Sequence, residues 1–431
     1  MRLTLGPADM AGVIEELSRA NGEFARAYPG DAASRRPVHT VYGGAHLFRF
    51  DTPAKLGRVA LHSVEQYAPD AATFVSALGL EGVDPEVLYS RVRDKLGREP
   101  VEDYRIDFED GYGYRPDLEE DRDAVSAALE LARALRENTV PPSSGIRIKS
   151  FSQDLYRRSI RTLDLFLTSL LHETGGKLPP NFVVCLPKIV AAEQVESLAT
   201  LLERFESAAA LEQGRLKLEI MVETTQCIPQ LAALATAARG RCIAAHLGAF
   251  DFTSCQEIAV GAQSYTHPAN DFARQMMQVA FAVTGIRIVD SVTNLIPKGD
   301  RDTVHHAWRI HAGHVRHSLV RGIYQGWDLH PSQIPARLGA VYAFFLEELD
   351  AVSVRLKTFI ERATQATMAG NVFDDAATGQ GMLNFFLQAA GCGALDQADI
   401  PARTGLSIDE LRSGSFAAIV DGRSEMKKGR L

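Results

Sequence analysis

Between Lys217 and Ser254 the chain passes through two apolar stretches, KLEIMVE and CIAAHLGAFD, separated by the Ala/Leu-rich interval IPQLAALATAARG. Apolar runs of this length, bounded by turn residues, predict buried strands, and the interval predicts a helix stopped by Gly240. The result is a strand–helix–strand unit whose two parallel strands end at the same sheet edge. The same alternation repeats along the chain. Strands are expected at 38–48, 104–109, 145–150, 182–187, 217–223, 242–251, 286–291 and 322–328. Helical patterning falls between them at 53–67, 118–137, 153–173, 191–210, 267–285 and 302–320, with a mixed helical insertion at 70–100. Eight alternating units predict an α/β fold, a parallel (β/α)8 TIM barrel.

The flanks divide the chain into three parts. Residues 1–36 carry an amphipathic helix at 9–28, residues 37–335 hold the barrel, and residues 336–431 form a C-terminal helical extension. Within the extension a helix over 336–366, a polar Gly/Asp stretch at 370–380 and a helix over 380–391 precede a looser tail.

Charge and composition narrow the function classes. With 46 Lys and Arg against 54 Asp and Glu, the net charge of −8 speaks against a nucleic-acid surface. Apolar runs all fall short of the roughly 18 residues that a membrane span requires. The N-terminus has no basic segment followed by an apolar stretch, so a cytoplasmic location is expected. The five cysteines have no C-x-x-C spacing, which predicts reduced, mostly buried thiols.

In a barrel of this kind chemistry gathers where strands end. The predicted ends carry Asp107, Glu109 and Asp110 on strand two, Arg147 and Lys149 on strand three, and Lys188 after strand four. Strands five to eight end in Glu223, Asp251, Asp290, and Asp328 with His330. Carboxylates on neighbouring strand tips, here Glu223 and Asp251, suit a hard divalent cation such as Mg²⁺, which takes oxygen ligands and keeps waters. His311, His314 and His317 share a helix face, but without an H-E-x-x-H pattern they read as a solvated or interface helix rather than a zinc site. His46, near strand one, reads as a packed histidine.

Taken together in chain order, these motifs resemble the HpcH/HpaI aldolase–citrate lyase superfamily, which includes citrate-lyase β-subunit-like proteins and malate synthases. IDFEDG (106–111) is similar to the family's L-D-L-E-D-A. IRIK (146–149) resembles its strand-three arginine motif, LPKI (186–189) its L-P-K, and MVETT (221–225) its I-E-T. GAFDF (248–252) is similar to G-x-x-D-[YF], and GWDLHPSQI (326–334) to I-H-P-x-Q-I. FDDAAT (373–378) resembles the malate-synthase M-E-D-A-A-T. Gly111 stands where the family more often has Ala, and the 70–100 segment is longer than the usual link.

The resemblance implies a Mg²⁺-dependent (or Mn²⁺-dependent) carbon–carbon lyase or aldolase acting through an enolate on a 2-oxo acid or 3-hydroxy acid derivative. By the same resemblance Glu223 and Asp251 bind the metal, and Arg147 stabilises the developing oxyanion. Glu109 and Asp110 support metal waters or Arg147. Lys188, Thr224 and the backbone of Gly248, Ala249 and Phe250 line the substrate site, and Asp375 moves the proton. The segment carrying Asp375 commonly comes from a neighbouring subunit in the citrate-lyase-like branch, which implies a homo-oligomer. Each residue also has a plainer reading: a salt bridge of Arg147 with Glu109, an acid partner for Lys188, a tight turn at Gly248, and a helix cap at Asp375. A malate-synthase-like acyltransferase condensing an acyl-CoA with glyoxylate is the neighbouring alternative, and a non-catalytic 2-oxo-acid-binding barrel the third. No coenzyme A pocket is legible, so thioester use stays open.

Overall fold

Eight short strands pair in parallel, each with its neighbours in sequence, and the first pairs with the last, so the sheet closes into a barrel. The computed structural model describes residues 4–30, 35–361, 367–369, 372–374 and 376–413, together with 415, 416, 418, 419 and 423. A leading helix α1 (Pro7–Ala27) precedes β1 (His39–Gly44), α2 (Thr52–Tyr67), α3 (Ala71–Leu78), α4 (Pro85–Arg98) and β2 (Asp103–Asp107). Then come α5 (Asp117–Arg136), β3 (Ser143–Arg147), α6 (Tyr156–Thr174), β4 (Phe182–Leu186), α7 (Ala192–Ala208), β5 (Lys217–Val222) and α8 (Leu231–Ala237). The barrel ends with β6 (Cys242–Leu247), α9 (Ala249–Ser254), α10 (Pro268–Phe281), β7 (Arg287–Asp290), α11 (Arg301–Leu319), β8 (Gln325–Asp328) and α12 (Ile334–Glu361). Beyond it lie the antiparallel pair β9 (Thr367–Ala369) and β10 (Val372–Asp374), then α13 (Ala376–Cys392), α14 (Ile400–Thr404) and α15 (Ile408–Arg412).

Local chemistry sets several boundaries. In the insertion after α2, the Asp70 carboxylate accepts from the Thr73 amide at 2.8 Å and opens α3, and Gly79 closes it at φ 67°. Asp84 and Pro85 start α4 in the same manner. This helix pair fills the outer layer beside α12: a Cβ on Gly339 would fall 2.4 Å from Leu78 Cδ1, so glycine permits the close approach. α12 packs on α11 and on the α2–α4 group, and takes the place of the eighth barrel helix. The Tyr342 hydroxyl donates to the Cys392 carbonyl at 2.9 Å and joins α12 to the end of α13. By contrast, α1 stands clear, with Val13, Ile14, Leu17 and Phe24 all more than half exposed.

Three expectations from the sequence change. β6 ends at Leu247, because the chain turns at Gly248 into α9, so Asp251 stands in the first turn of that helix and not on the strand. The polar stretch at 370–380 contains β10 and the start of α13. The histidine face of α11 packs against the barrel instead of lying open to solvent: His311 is buried, bonding Asp328 at 2.9 Å and Thr293 at 2.8 Å, and the half-buried His314 bonds Thr293 at 2.9 Å while stacking on Tyr265. The reason is placement, since α11 lies against the outer side of the strands and finds polar partners there. Four of the five free cysteines are buried, and Cys255 is exposed. Among the described residues no helix is long and apolar enough to cross a membrane.

Inside the barrel, below the strand ends, lies a sealed ion-pair layer. Arg105 holds Glu219 through Nε at 2.8 Å and Nη2 at 2.6 Å, and also binds Asp103. His246 sits 3.2 Å from Glu219, and its Nδ1 accepts from the indole N–H of Trp327 at 2.9 Å. Removing one partner of such a set leaves buried charge uncompensated. Arg105→Met should therefore destabilise the fold by about 3–5 kcal/mol in urea titrations; a loss below about 1 kcal/mol would show that Asp103 and Glu219 do not depend on this guanidinium.

Candidate active site

Arg147 is the last residue of β3, and its neighbour in register on β2 is Asp107, also the last of its strand. The two side chains meet fork to fork: Nε donates to one Asp107 oxygen at 2.7 Å and Nη2 to the other at 2.6 Å. Asp107 also accepts from the amides of Glu109 at 2.9 Å and Gly111 at 2.7 Å, so the turn after β2 wraps its carboxylate. A Cβ at Gly111 would lie 2.6 Å from Asp107 Oδ2, which explains glycine where the related motif more often has alanine. Arg147 keeps Nη1 for the barrel mouth, 3.3 Å from Glu109, 3.9 Å from Asp110 and 3.5 Å from the Met221 sulfur. Its guanidinium lies 4.7 Å from the centre of the Tyr42 ring and 5.6 Å from Trp327. The salt bridge expected with Glu109 is thus secondary. Asp107 is the residue that orients Arg147, and its position at the end of β2 was the available signal.

Lys188 follows β4 with a positive φ of 50°, held where L residues seldom settle. This turn aims its backbone N–H at Glu223 Oε1, 2.6 Å away, and its ammonium at Glu109 (2.5 Å), Asp110 (3.1 Å) and, at 4.0 Å, Asp251. Burial works against the charged ammonium, but Glu223, Glu109 and Asp251 more than offset it, so its pKa is raised.

Glu223, one residue past β5, is 1% exposed. One carboxylate oxygen accepts from the Lys188 amide; the other, Oε2, is buried and has no hydrogen-bond partner among the described residues. Burial pushes its pKa up to about 8, with Asp251 and Glu109 adding to the shift and Lys188 and Arg147 opposing it. Asp251 is raised as well, first by burial and then by Asp110. Glu109 is raised, chiefly by burial. Burial also acts on Asp110, but hydrogen bonding with Glu109 and the Lys188 charge leave it lowered. Gly248 has an ordinary φ of −96°, so no strained turn requires glycine. Space does: a Cβ there would fall 2.5 Å from Glu223 Oε2.

Several other sequence candidates have different duties. The Gly248 amide donates to the Val222 carbonyl at 3.1 Å and the Ala249 amide to Ser291 Oγ at 3.0 Å, so two of the backbone donors expected to line the substrate site are taken up by the fold. Phe250 is half-buried against the apolar group of the barrel interior. The Thr224 hydroxyl donates to the Ile189 carbonyl and is occupied in holding the loop. Asp290 binds Arg274 and Ser318, and Asp328 binds Arg337 and His311, so both face outward from the barrel; alternation along a strand sends neighbours to opposite faces. His330 accepts from the Ser332 amide and caps a turn, and Lys149 donates to the Phe108 carbonyl. Asp375 lies outside the described residues.

Five carboxylates (Asp107, Glu109, Asp110, Glu223 and Asp251) thus surround two cations, Arg147 and Lys188. The family described as Domain of unknown function (DUF6986) matches residues 17–419. The chain belongs to the DUF6986 family. No curated protein matches it in sequence. The DUF6986 barrel is similar to a crystal structure of a citrate lyase from Burkholderia xenovorans, with TM-score 0.54 and 20% identity, covering 78% of this chain and 93% of that one. CitE from Mycobacterium tuberculosis, in complex with magnesium, acetoacetate and coenzyme A, matches with TM-score 0.48 and 17% identity over 83% and 99% of the two chains. A Haloferax volcanii malate synthase matches with TM-score 0.49 and 14% identity over 90% and 97%. At 20% identity the likeness to the citrate lyase is one of fold.

The raised Glu223 pKa has a stability consequence. The folded chain keeps this proton up to about pH 8, whereas the unfolded chain releases it near the ordinary 4.5. Across that window the folded state binds more protons, so the residue's contribution to stability falls as pH rises. Without divalent cations, Glu223→Gln should match the parent near pH 5 and exceed it by about 2–4 kcal/mol near pH 8.5 in urea denaturation. Equal stability at the higher pH would mean that the buried carboxylate is not held neutral.

Proposed function

We propose that the protein is a divalent-cation-dependent carbon–carbon lyase or aldolase acting on a 2-oxo acid or 3-hydroxy acid derivative through an enolate. The observation that carries this reading is the buried, unpartnered oxygen of Glu223 beside Asp251, opposite an arginine fixed by its own carboxylate. The donor set fits the ion: all-oxygen ligands, an excess of negative charge, and space kept open by Gly248. Among the described residues no group of three or more His, Cys, Asp or Glu side chains forms a metal cage. Two carboxylates that leave positions for water and substrate oxygens suit Mg²⁺, with Mn²⁺ as the alternative. Glu223 and Asp251 would hold the ion, which when bound supplies Lewis-acid polarisation of the substrate's keto and carboxylate oxygens.

The chain's own groups would do the rest. Arg147, with Nε and Nη2 engaged by Asp107, directs Nη1 toward the mouth, where it would donate to the oxygen on which negative charge develops. Lysine has no such fork and could not keep both the Asp107 grip and a free donor. Lys188 would set the field between the acids and hold Glu109 and Asp110 in place. Asp375 would move a proton at the carbon nucleophile, as its FDDAAT motif suggests. The uncovered apolar face of α1 supports a homo-oligomer, in which that segment would serve a neighbouring subunit's site. The same motif favours a second reading, condensation of an acyl thioester with glyoxylate.

A thermal-shift panel separates these readings. With Mg²⁺ present, pyruvate or oxaloacetate should raise the Tm above that of Mg²⁺ alone; a response confined to glyoxylate and acetyl-CoA would favour the acyltransferase, and no response to any 2-oxo acid would reject both. Once a turnover assay exists, Glu223→Gln should abolish metal-dependent activity and Arg147→Lys should lower kcat about 10²–10³-fold. Retention of full activity by Glu223→Gln would remove the cation from the scheme. Ligand binding that survives Asp375→Asn, with no turnover by the parent, would indicate a binding protein.

A further inference from the structure

The barrel mouth is divided by chemistry. The ends of β2 to β6 and the turns after them bring Asp107, Glu109, Asp110, Arg147, Lys188, Glu223 and Asp251 together on one side. The acids of β7 and β8, Asp290 and Asp328, are turned outward to Arg274 and Arg337. Deeper in the barrel β8 and β1 carry polar groups such as Gln325 and Thr40, but at the mouth the end of β8, β1 and the loop after β7 contribute an apolar group: Trp327, Tyr42 and Val292, joined by Phe250 from the start of α9 and by Met221. The Tyr42 and Trp327 rings lie 4.4 Å apart, and the Tyr42 hydroxyl is directed down to His246 Nδ1 at 3.1 Å, so the ring body rather than its polar tip meets the mouth. Tyr42 and Phe250 are only half-buried. Among the described residues, the cation that touches this group is Arg147; its Nε and Nη2 are engaged by Asp107, and its Nη1 is the donor already assigned to the substrate's keto oxygen.

We propose that this apolar half of the mouth receives the distal substituent of the substrate, so that the site prefers 2-oxo acids with an uncharged apolar side chain over dicarboxylates. The inference rests on the reading of the site as one for 2-oxo acids and names the class within it. The charged half engages the carboxylate and keto oxygens common to all such acids. The aromatic half gains by covering methylene groups, at about fourfold in affinity for each. A distal carboxylate placed there gives up its water without a partner cation and binds more weakly.

The test is calorimetric titration of the full chain with Mg²⁺ present, using pyruvate, 2-oxobutyrate, 2-oxopentanoate and 2-oxoglutarate. The last two share a backbone length and differ in the terminal carboxylate. Affinity should rise about fourfold per added methylene from pyruvate to 2-oxopentanoate, and 2-oxoglutarate should bind at least about tenfold more weakly than 2-oxopentanoate. Phe250→Arg, which puts a cation on the half-buried edge of the apolar group, should move that ratio at least about tenfold toward 2-oxoglutarate. Equal or tighter binding of 2-oxoglutarate by the parent overturns the proposal while leaving the 2-oxo-acid reading intact. Failure of all four acids to bind, pyruvate included, overturns both.

Discussion

An ionised carboxylate that is enclosed on one side and lacks a hydrogen-bond partner is stable only if positive charge is brought to it. Glu223 is in that position, with one oxygen held by the Lys188 amide and the other facing buried space without a donor. Everything around it bears on the same imbalance. Asp251 and Glu109 push its proton affinity up, Lys188 and Arg147 pull it down, and the net result is a group that stays protonated to about pH 8. The cation proposed for this site would let Glu223 ionise at neutral pH without the desolvation cost it otherwise carries.

Arg147 and Asp107 provide the fixed frame for this adaptable centre. Both close their strands, they are in register, and their bidentate pairing leaves the guanidinium little freedom to turn. The cation is also packed against Tyr42 and Trp327, whose polar tips reach the ion-pair layer below through His246. The same two rings thus support the arginine on one side and form the apolar wall on the other. In the proposed reaction such support would matter, because a donor that already points where charge develops need not reorganise.

The outer layer explains how a chain with a long insertion still closes an ordinary barrel. α3 and α4 do not interrupt the ring; they pack on α12, where Gly339 permits close approach to Leu78. The buried His311 of α11 belongs to this outer scaffold and, with His39 of β1, ties β8 to its neighbours through Asp328. α1 is the exception, a helix of 21 residues whose apolar positions Val13, Ile14, Leu17 and Phe24 find no cover among the described residues.

The sequence by itself determined the barrel and its site edge. Eight apolar runs in alternation with helical patterning match a parallel sheet of eight strands, and the acids and bases at run ends fall at one rim by the geometry of parallel strands. Glu223, Arg147, Lys188 and Glu109 stand at that rim, whereas Asp251, expected on a strand end, reaches it from the first turn of α9. The tertiary structure alone decided which of the rim residues face inward. Asp290 and Asp328 occupy the same kind of position as Asp107, yet they turn outward to Arg274 and Arg337, partners that lie on surrounding helices and are invisible to local pattern. Likewise the buried role of His311, the positive φ that aims Lys188, and the clearance that Gly248 keeps for Glu223 depend on residues far apart in the chain. Periodicity records the direction of a side chain relative to its own strand; what stands opposite it is set only when the sheet closes.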